Sequence, residues 1–261
     1  MNILNRIVED KIKEVSLRKK IFPTAYWEQS PLFNRSTFSL SQRLKSSNSG
    51  IIAEHKRRSP SRENINSSLT VHEVAKGYAS AGVCGMSVLT DLKYFGGSLE
   101  DLTAARAVCD LPLLRKEFII DPYQLVEAKA HGADVILLIA AVLDRQQIQS
   151  LSSTAQSLGL EVLLEVHNAE ELQKAIMPSI DMMGVNNRNL KTFDVSLDTS
   201  KTLAEKIPDD FVKVSESGIS TVSAIESLKP YGYQGFLIGE NFMKCPSPGE
   251  AADQFIKKLS P

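Results

Sequence analysis

Two lysines and several glutamates stand where short apolar runs of this chain end, and their chemistry is the first thing to read. The runs finish Ala53-Glu54-His55-Lys56, Leu114-Arg115-Lys116-Glu117-Phe118, Leu164-Glu165-Val166-His167, Val185-Asn186-Asn187-Arg188, Ser215-Glu216-Ser217-Gly218 and Ile238-Gly239-Glu240-Asn241. Lys and Glu are rarely buried unless paired. At any one run, a solvated rim where strand becomes loop is as good a reading as a functional one. Repetition at the same end of most runs favours a shared, mutually paired mouth. Side chains alternate across a strand. Glu54 and Lys56 then share a face and His55 takes the other, Lys116 lies with Phe118, and Asn186 with Arg188. A lysine ammonium can protonate a developing alkoxide, and its pKa responds to burial and neighbours. A glutamate shielded from water can serve as base or late acid. The set points to general acid–base chemistry on a carbonyl-bearing substrate. It does not point to a serine triad, because Ser59 and Ser217 have no recognisable His–Asp pairing.

Smaller signals surround this set. Ser217-Gly218 and Gly239 follow the last two apolar runs, where barrel enzymes often hold phosphate on backbone N–H groups. Glycine there lets backbone approach an anion, although any tight turn favours glycine. Lys93-Tyr94-Phe95-Gly96-Gly97-Ser98 suits a loop that brings Phe95 against a planar ligand, or equally an aromatic packed on a rim. Ser59-Pro60-Ser61 opens a loop, or simply a turn.

Composition narrows the classes. Formal net charge is −1, so the broad positive field that nucleic acid requires is missing. Lys56-Arg57-Arg58 is too short for a polyanion surface but long enough to serve one phosphate or carboxylate. Three cysteines without metal or redox spacing read as free thiols, and four scattered histidines give no metal site. The charged N-terminus does not read as a signal peptide. The longest apolar run, Val135 to Leu143, is too short to span a bilayer. A cytoplasmic location follows by elimination.

The elements that must carry these residues come next. Strands are expected at Ile51–Lys56, Gly85–Thr90, Leu113–Phe118, Val135–Ala140, Glu161–Val166, Met182–Asn187, Val212–Ser217 and Gly235–Ile238, with a helix-like stretch after nearly every one. Near-continuous apolar runs suit parallel strands covered on both faces. Eight such units favour a closed α/β barrel, a (βα)8 TIM barrel, over an open sheet. Before it, Ile3, Ile7, Ile12 and Val15 suggest one amphipathic helix. Residues 1–261 are expected to form a single barrel domain, with 1–48 as a helical extension packed on it.

Together the segments resemble the indole-3-glycerol phosphate synthase family. The resemblance rests on Ile52-Ala53-Glu54-His55-Lys56-Arg57-Arg58-Ser59-Pro60-Ser61, on Val88-Leu89-Thr90-Asp91 leading to Tyr94-Phe95-Gly96-Gly97-Ser98, and on Leu114-Arg115-Lys116-Glu117-Phe118-Ile119. It continues through Gly132-Ala133-Asp134, Leu164-Glu165-Val166-His167, Gly184-Val185-Asn186-Asn187-Arg188-Asn189-Leu190, Ser215-Glu216-Ser217-Gly218-Ile219 and Leu237-Ile238-Gly239-Glu240. It implies closure, decarboxylation and dehydration of 1-(2-carboxyphenylamino)-1-deoxyribulose 5-phosphate to indole-3-glycerol phosphate, a step of tryptophan biosynthesis. It implies no metal and no organic cofactor. By the same resemblance Lys116 is the general acid, Glu165 handles the later proton transfers, and Lys56 assists and contacts the substrate carboxylate. Glu54 and Asn186 orient the network, Arg188 belongs to the substrate site, and Phe95 and Phe118 surround the anthranilate ring. Ser59, Ser217, Gly218, Gly239 and Glu240 fall at phosphate or substrate contacts.

One departure is Glu63, where the family usually has glycine; a position needing φ > 0 would strain glutamate. The rivals are another phosphate-binding barrel, such as phosphoribosylanthranilate isomerase, and a non-catalytic barrel. The isomerase would need a Cys near the end of the first strand and an Asp acid, where this chain has Glu54 and Lys56. A monomer acting on a small sugar phosphate, with no nucleic acid and no membrane, is the expectation.

Overall fold

The apolar runs become strands because each is buried on both faces, against the helices outside and against its fellows inside. The computed structural model describes residues 3–60, 62–190 and 192–259. Its strands are β1 (Ile51–His55), β2 (Gly85–Leu89), β3 (Leu113–Lys116), β4 (Val135–Ile139), β5 (Glu161–Val166), β6 (Met182–Asn186), β7 (Val212–Glu216) and β8 (Tyr233–Ile238). All pair in parallel in chain order, and β8 closes on β1, so the sheet is a barrel, as expected. Helices fill the connections. Several start on side-chain caps written in the sequence: Thr70 with Glu73, Ser98 with Asp101, and Asp144 with Gln147.

Alternation divides each strand between two cores. Ala53, Val88, Ile136, Leu164 and Val185 face the helices. Ile52, Leu114, Leu137, Leu163, Val214 and Leu237 form a separate interior cluster. Each such Leu or Ile contributes about 1.5–3 kcal/mol on burial. The interior rows then change character toward the C-terminal ends: Ile52 is followed by Glu54 and Lys56, Leu114 by Lys116, Leu163 by Glu165, and Val214 by Glu216.

Two details depart from the sequence reading. Most strands stop a residue or two sooner, because their last residues already turn into the loops. β8 begins earlier, at Tyr233 rather than Gly235, where an irregularity between Lys213 and Val214 lets Lys213 pair with Tyr233. The exposed, polar Gln234 interrupts the apolar pattern and hides this start.

The N-terminal segment reaches both ends of the barrel. Helix α1 (Ile3–Ile21) is amphipathic, but its buried stripe is Ile7, Lys11 and Val15, while Ile12 is 55% exposed. A lysine thus occupies the position that the apolar pattern assigned to an isoleucine. After α2 (Thr24–Trp27), helix α3 (Leu40–Ser46) starts on the Ser39 cap, which accepts from the Gln42 N–H. Leu40 and Leu44 join the interior cluster, so α3 closes the barrel floor.

Candidate active site

At the C-terminal end of the strands lies a cavity of about 390 Å³. It is bordered by all the residues singled out from the sequence: Lys116, Glu165, Lys56, Glu54, Asn186, Arg188, Phe95, Phe118, Ser59, Ser217, Gly218, Gly239 and Glu240. Ser61, the last residue of the Ser59-Pro60-Ser61 segment, lies outside the described residues. His55 takes the opposite face of β1, as alternation requires. It is buried there, and burial followed by the Arg57 charge pushes its pKa down to about 4. Arg57 also points away from the cavity: it pairs with Asp101 (2.8 Å) and donates to the Gly96 carbonyl (3.0 Å).

The centre of the mouth is a Lys–Glu cluster. The Lys116 ammonium, at the end of β3, pairs with Glu165 of β5 at 3.1 Å and makes a closer contact with Glu216 of β7. Lys56 pairs with Glu54 at 2.6 Å, and Ser87 donates to the other Glu54 oxygen at 3.4 Å. Gly239 makes this possible, since a Cβ there would lie 2.4 Å from Glu54 Oε1.

The charges do not balance: three carboxylates, Glu54, Glu165 and Glu216, face two ammoniums, Lys56 and Lys116. Burial alone depresses the Lys116 pKa, but Glu216 and Glu165 outweigh it and hold the group charged. Burial tends to raise Glu165. Lys116 outweighs that, with help from His167 and Asn186, so Glu165 stays ionised. Glu216 absorbs the excess. Burial, reinforced by the nearby Glu165 and Glu54 charges, pushes it up to about 7 despite Lys116. Its Oε1 is buried with no hydrogen-bond partner among the described residues. One cation between a low and a high carboxyl is an arrangement that can pass protons in either direction near neutrality.

Behind Glu165 stands His167, 3.3 Å away at an ion-pair distance. Its other ring nitrogen lies 3.0 Å from Glu171. Burial lowers the His167 pKa, but these two carboxylates reverse that and raise it to about 10.

The rim carries the recognition features. Phe95 and Phe118 stand with ring centroids 6.1 Å apart, forming an aromatic wall. Asn186 accepts from the Arg188 N–H at 3.0 Å, and Arg188 donates to the Phe193 carbonyl at 3.2 Å. After β7 the chain takes two successive left-handed residues, Ser217 (φ 66°) and Gly218 (φ 78°). Such a conformation at a serine costs energy and is held by its surroundings: Asn187 donates to the Ser217 carbonyl (3.1 Å) and to Ser215 (2.9 Å). Glu240 pairs with Arg62 at 2.9 Å, joining the loops after β8 and β1. Glu63 in that first loop is exposed and not left-handed, so the strain anticipated there does not arise.

Glu216 is the principal group to which the sequence assigns no individual role. The signal was present, since it alternates with Val212 and Val214 on the inner face of β7. Ile3, Leu4 and Ile7 of α1 also border the mouth, and nothing in the local pattern pointed there. Among the described residues no group of three or more His, Cys, Asp or Glu is placed to hold a metal ion.

Comparison with known proteins agrees with this picture. The sequence profile of the family described as indole-3-glycerol phosphate synthase matches residues 4–259. A protein of that name from Bacteroides thetaiotaomicron is 47% identical over 258 residues, 99% of each chain. Another from Albidiferax ferrireducens is 41% identical, covering 96% of each chain. A third, from Polynucleobacter asymbioticus, is 40% identical, covering 98% of this chain and 99% of that one. Among solved structures, 3-hexulose-6-phosphate synthase from Salmonella typhimurium has a TM-score of 0.63 at 15% identity, covering 80% of this chain and 97% of that chain. Thiamine phosphate pyrophosphorylase from Pyrococcus furiosus has a TM-score of 0.61 at 14% identity, covering 85% and 100%. At such identities the structural likeness is one of fold alone. Matching along nearly its whole length, the chain belongs to the indole-3-glycerol phosphate synthase family.

Proposed function

We propose that this chain converts 1-(2-carboxyphenylamino)-1-deoxyribulose 5-phosphate into indole-3-glycerol phosphate, carbon dioxide and water, as a carboxy-lyase of tryptophan biosynthesis. The observation that carries the reading is the Lys116 ammonium held between Glu165 and Glu216 on the wall of a cavity bordered by two aromatic rings. In the first step the carboxylate-bearing ring carbon bonds to the ketone carbon. The carbonyl oxygen gains negative charge and takes a proton from Lys116, the positioned cation that offsets this charge. Loss of carbon dioxide restores the aromatic ring. Lys56 holds the carboxylate before it leaves, a positioning task that a cation performs well. In the last step the new hydroxyl takes a proton from an ammonium of the Lys–Glu cluster and departs as water, while Glu165 accepts a proton from the neighbouring carbon. Glu54 and Asn186 orient Lys56 and Glu165, and Glu216 buffers the proton of Lys116.

The ring lies against Phe95 and Phe118, and Arg188 and Ser59 meet the polar parts of the substrate. The phosphate sits over the turns at Ser217, Gly218, Gly239 and Glu240. The tight left-handed turn after β7 supports this, because Gly218 there has no side chain to keep an anion from the backbone. No metal or organic cofactor enters these steps. The reading extends to a single-domain, monomeric enzyme of the cytoplasm. The packing of α1 and α3 at the two barrel ends supports the first part. No described helix is long and apolar enough to cross a membrane. Incubation of the purified chain with the anilino-deoxyribulose phosphate should generate the indole chromophore. A substrate that stays unchanged under enzyme excess refutes the function.

A further inference from the structure

Lys11 is one of the largest fully buried side chains of the molecule, yet it does not border the cavity. Its ammonium reaches three carboxylates: Glu14 at 2.8 Å, Asp91 at 3.0 Å and Glu117 at 3.1 Å. Glu14 belongs to the same helix. The other two follow β2 and β3, and each has a second task. Asp91 accepts from the Tyr94 N–H at 2.7 Å, capping the short helix Leu92–Phe95 that carries Phe95. Glu117 accepts from the Phe118 N–H at 2.8 Å, through the oxygen that also contacts Lys11. One cation therefore closes both of the turns that set the aromatic wall. Without it, two buried carboxylates would face each other across that wall with reduced compensation.

The clamp is costly if stability were its only purpose, since buried ion pairs are often matched or bettered by apolar packing. Val15 and Ile7, one turn away on either side, fill the same stripe with apolar groups. Burial works against the charge on Lys11, but Glu117 and Asp91 outweigh it, so the ammonium persists.

We propose that Lys11 is a positioning residue for ring recognition: from the N-terminal helix, without touching substrate, it fixes Phe95 and Phe118 at the spacing an anthranilate ring requires. The proposal rests on the functional reading above. It assigns to α1 a part in substrate selection that goes beyond covering the barrel.

The test compares a ring-bearing ligand with one that lacks the ring. Indole-3-glycerol phosphate and glycerol 3-phosphate are titrated calorimetrically into the wild-type chain and into Lys11→Met, below the melting temperature of both. Lys11→Met should bind the ring-bearing ligand about tenfold more weakly and glycerol 3-phosphate with unchanged affinity. KM should rise by a similar factor, while kcat changes by less than about threefold. A lowered Tm with wild-type ring affinity would make Lys11 purely structural and overturn the proposal. Equal weakening of both ligands would overturn it too. If Lys11→Met fails to fold, the double variant Lys11→Met with Glu117→Gln, which keeps the net charge of the cluster, must show the same ring-selective loss. Wild-type turnover separates the two levels: a wild-type chain that makes no indole product refutes the function, whereas an active wild type with intact ring affinity in the variant refutes the clamp alone.

Discussion

The two ends of this barrel use the same kinds of residue to opposite effect. At the floor, Asp134, just before β4, accepts from the Leu113 N–H (2.7 Å) and the Phe38 N–H (2.8 Å) while pairing with Arg35 (2.8 Å) and Arg106. Glu161, at the start of β5, accepts from the Leu40 and Ser41 N–H groups (2.8 and 3.0 Å) and from the hydroxyls of Ser39 and Ser41. Both oxygens of each of these two carboxylates have partners, and the result ties α3 and its approach to the strands. At the mouth, carboxylates outnumber ammoniums, Glu216 keeps an oxygen without a hydrogen-bond partner among the described residues, and the cluster borders a cavity. Satisfied charge at the floor locks structure in place; charge left in excess beside a cavity remains available for proton transfer.

If that contrast holds, damage at the two ends should separate cleanly. The largest expected effect is at the mouth. Glu165→Gln should lower kcat by roughly 10²–10⁴ with little loss of stability, measured by single-turnover formation of the indole absorbance. At the floor, Asp134→Ala should cost about 3–5 kcal/mol in urea-induced unfolding, because it strands Arg106 and the buried Leu113 N–H. Its kcat and KM should be unaltered below its Tm. A floor variant that loses turnover while keeping its stability would break the comparison. A smaller effect is expected of Ser217→Asp. Aspartate tolerates the left-handed conformation, so KM should rise by about tenfold through repulsion of the phosphate, with kcat less affected. An unchanged KM in initial-rate measurements would move the phosphate elsewhere.

The last prediction concerns pH. The folded-state pKa of His167 is raised to about 10 from an ordinary 6.5. Its stabilising contribution is complete below the lower value and is lost as pH rises toward the upper one. The slope of this loss is at most about 1.4 kcal/mol per pH unit. His167→Asn should therefore flatten the fall in unfolding free energy between those pH values. Parallel curves for the variant and the wild type would show that His167 is not held charged between Glu165 and Glu171.

Much of this was legible in the chain itself. The strands could be read from continuous apolar runs, the shared faces of Glu54 with Lys56, Lys116 with Phe118 and Asn186 with Arg188 from alternation, and Glu165 from its place at the end of its run. What escaped depends on tertiary partners. Lys11 reads as a surface charge until Asp91 and Glu117 are brought to it, and Ile12 reads as core until its side of α1 is found to be uncovered. Glu216 lies on a strand whose next residues, Ser217 and Gly218, drew attention to phosphate instead. The start of β8 is masked by Gln234, because only the irregular pairing of β7 with β8 gives that segment a partner.

The central claim is that the Lys116 ammonium, held by Glu165 and Glu216, supplies the proton for ring closure. Turnover of the anilino-deoxyribulose phosphate by Lys116→Ala and wild type, followed side by side with circular dichroism to verify folding, tests it most directly. A folded variant slowed by about 10³-fold or more is the expected result. A folded variant turning over at close to the wild-type rate would contradict it.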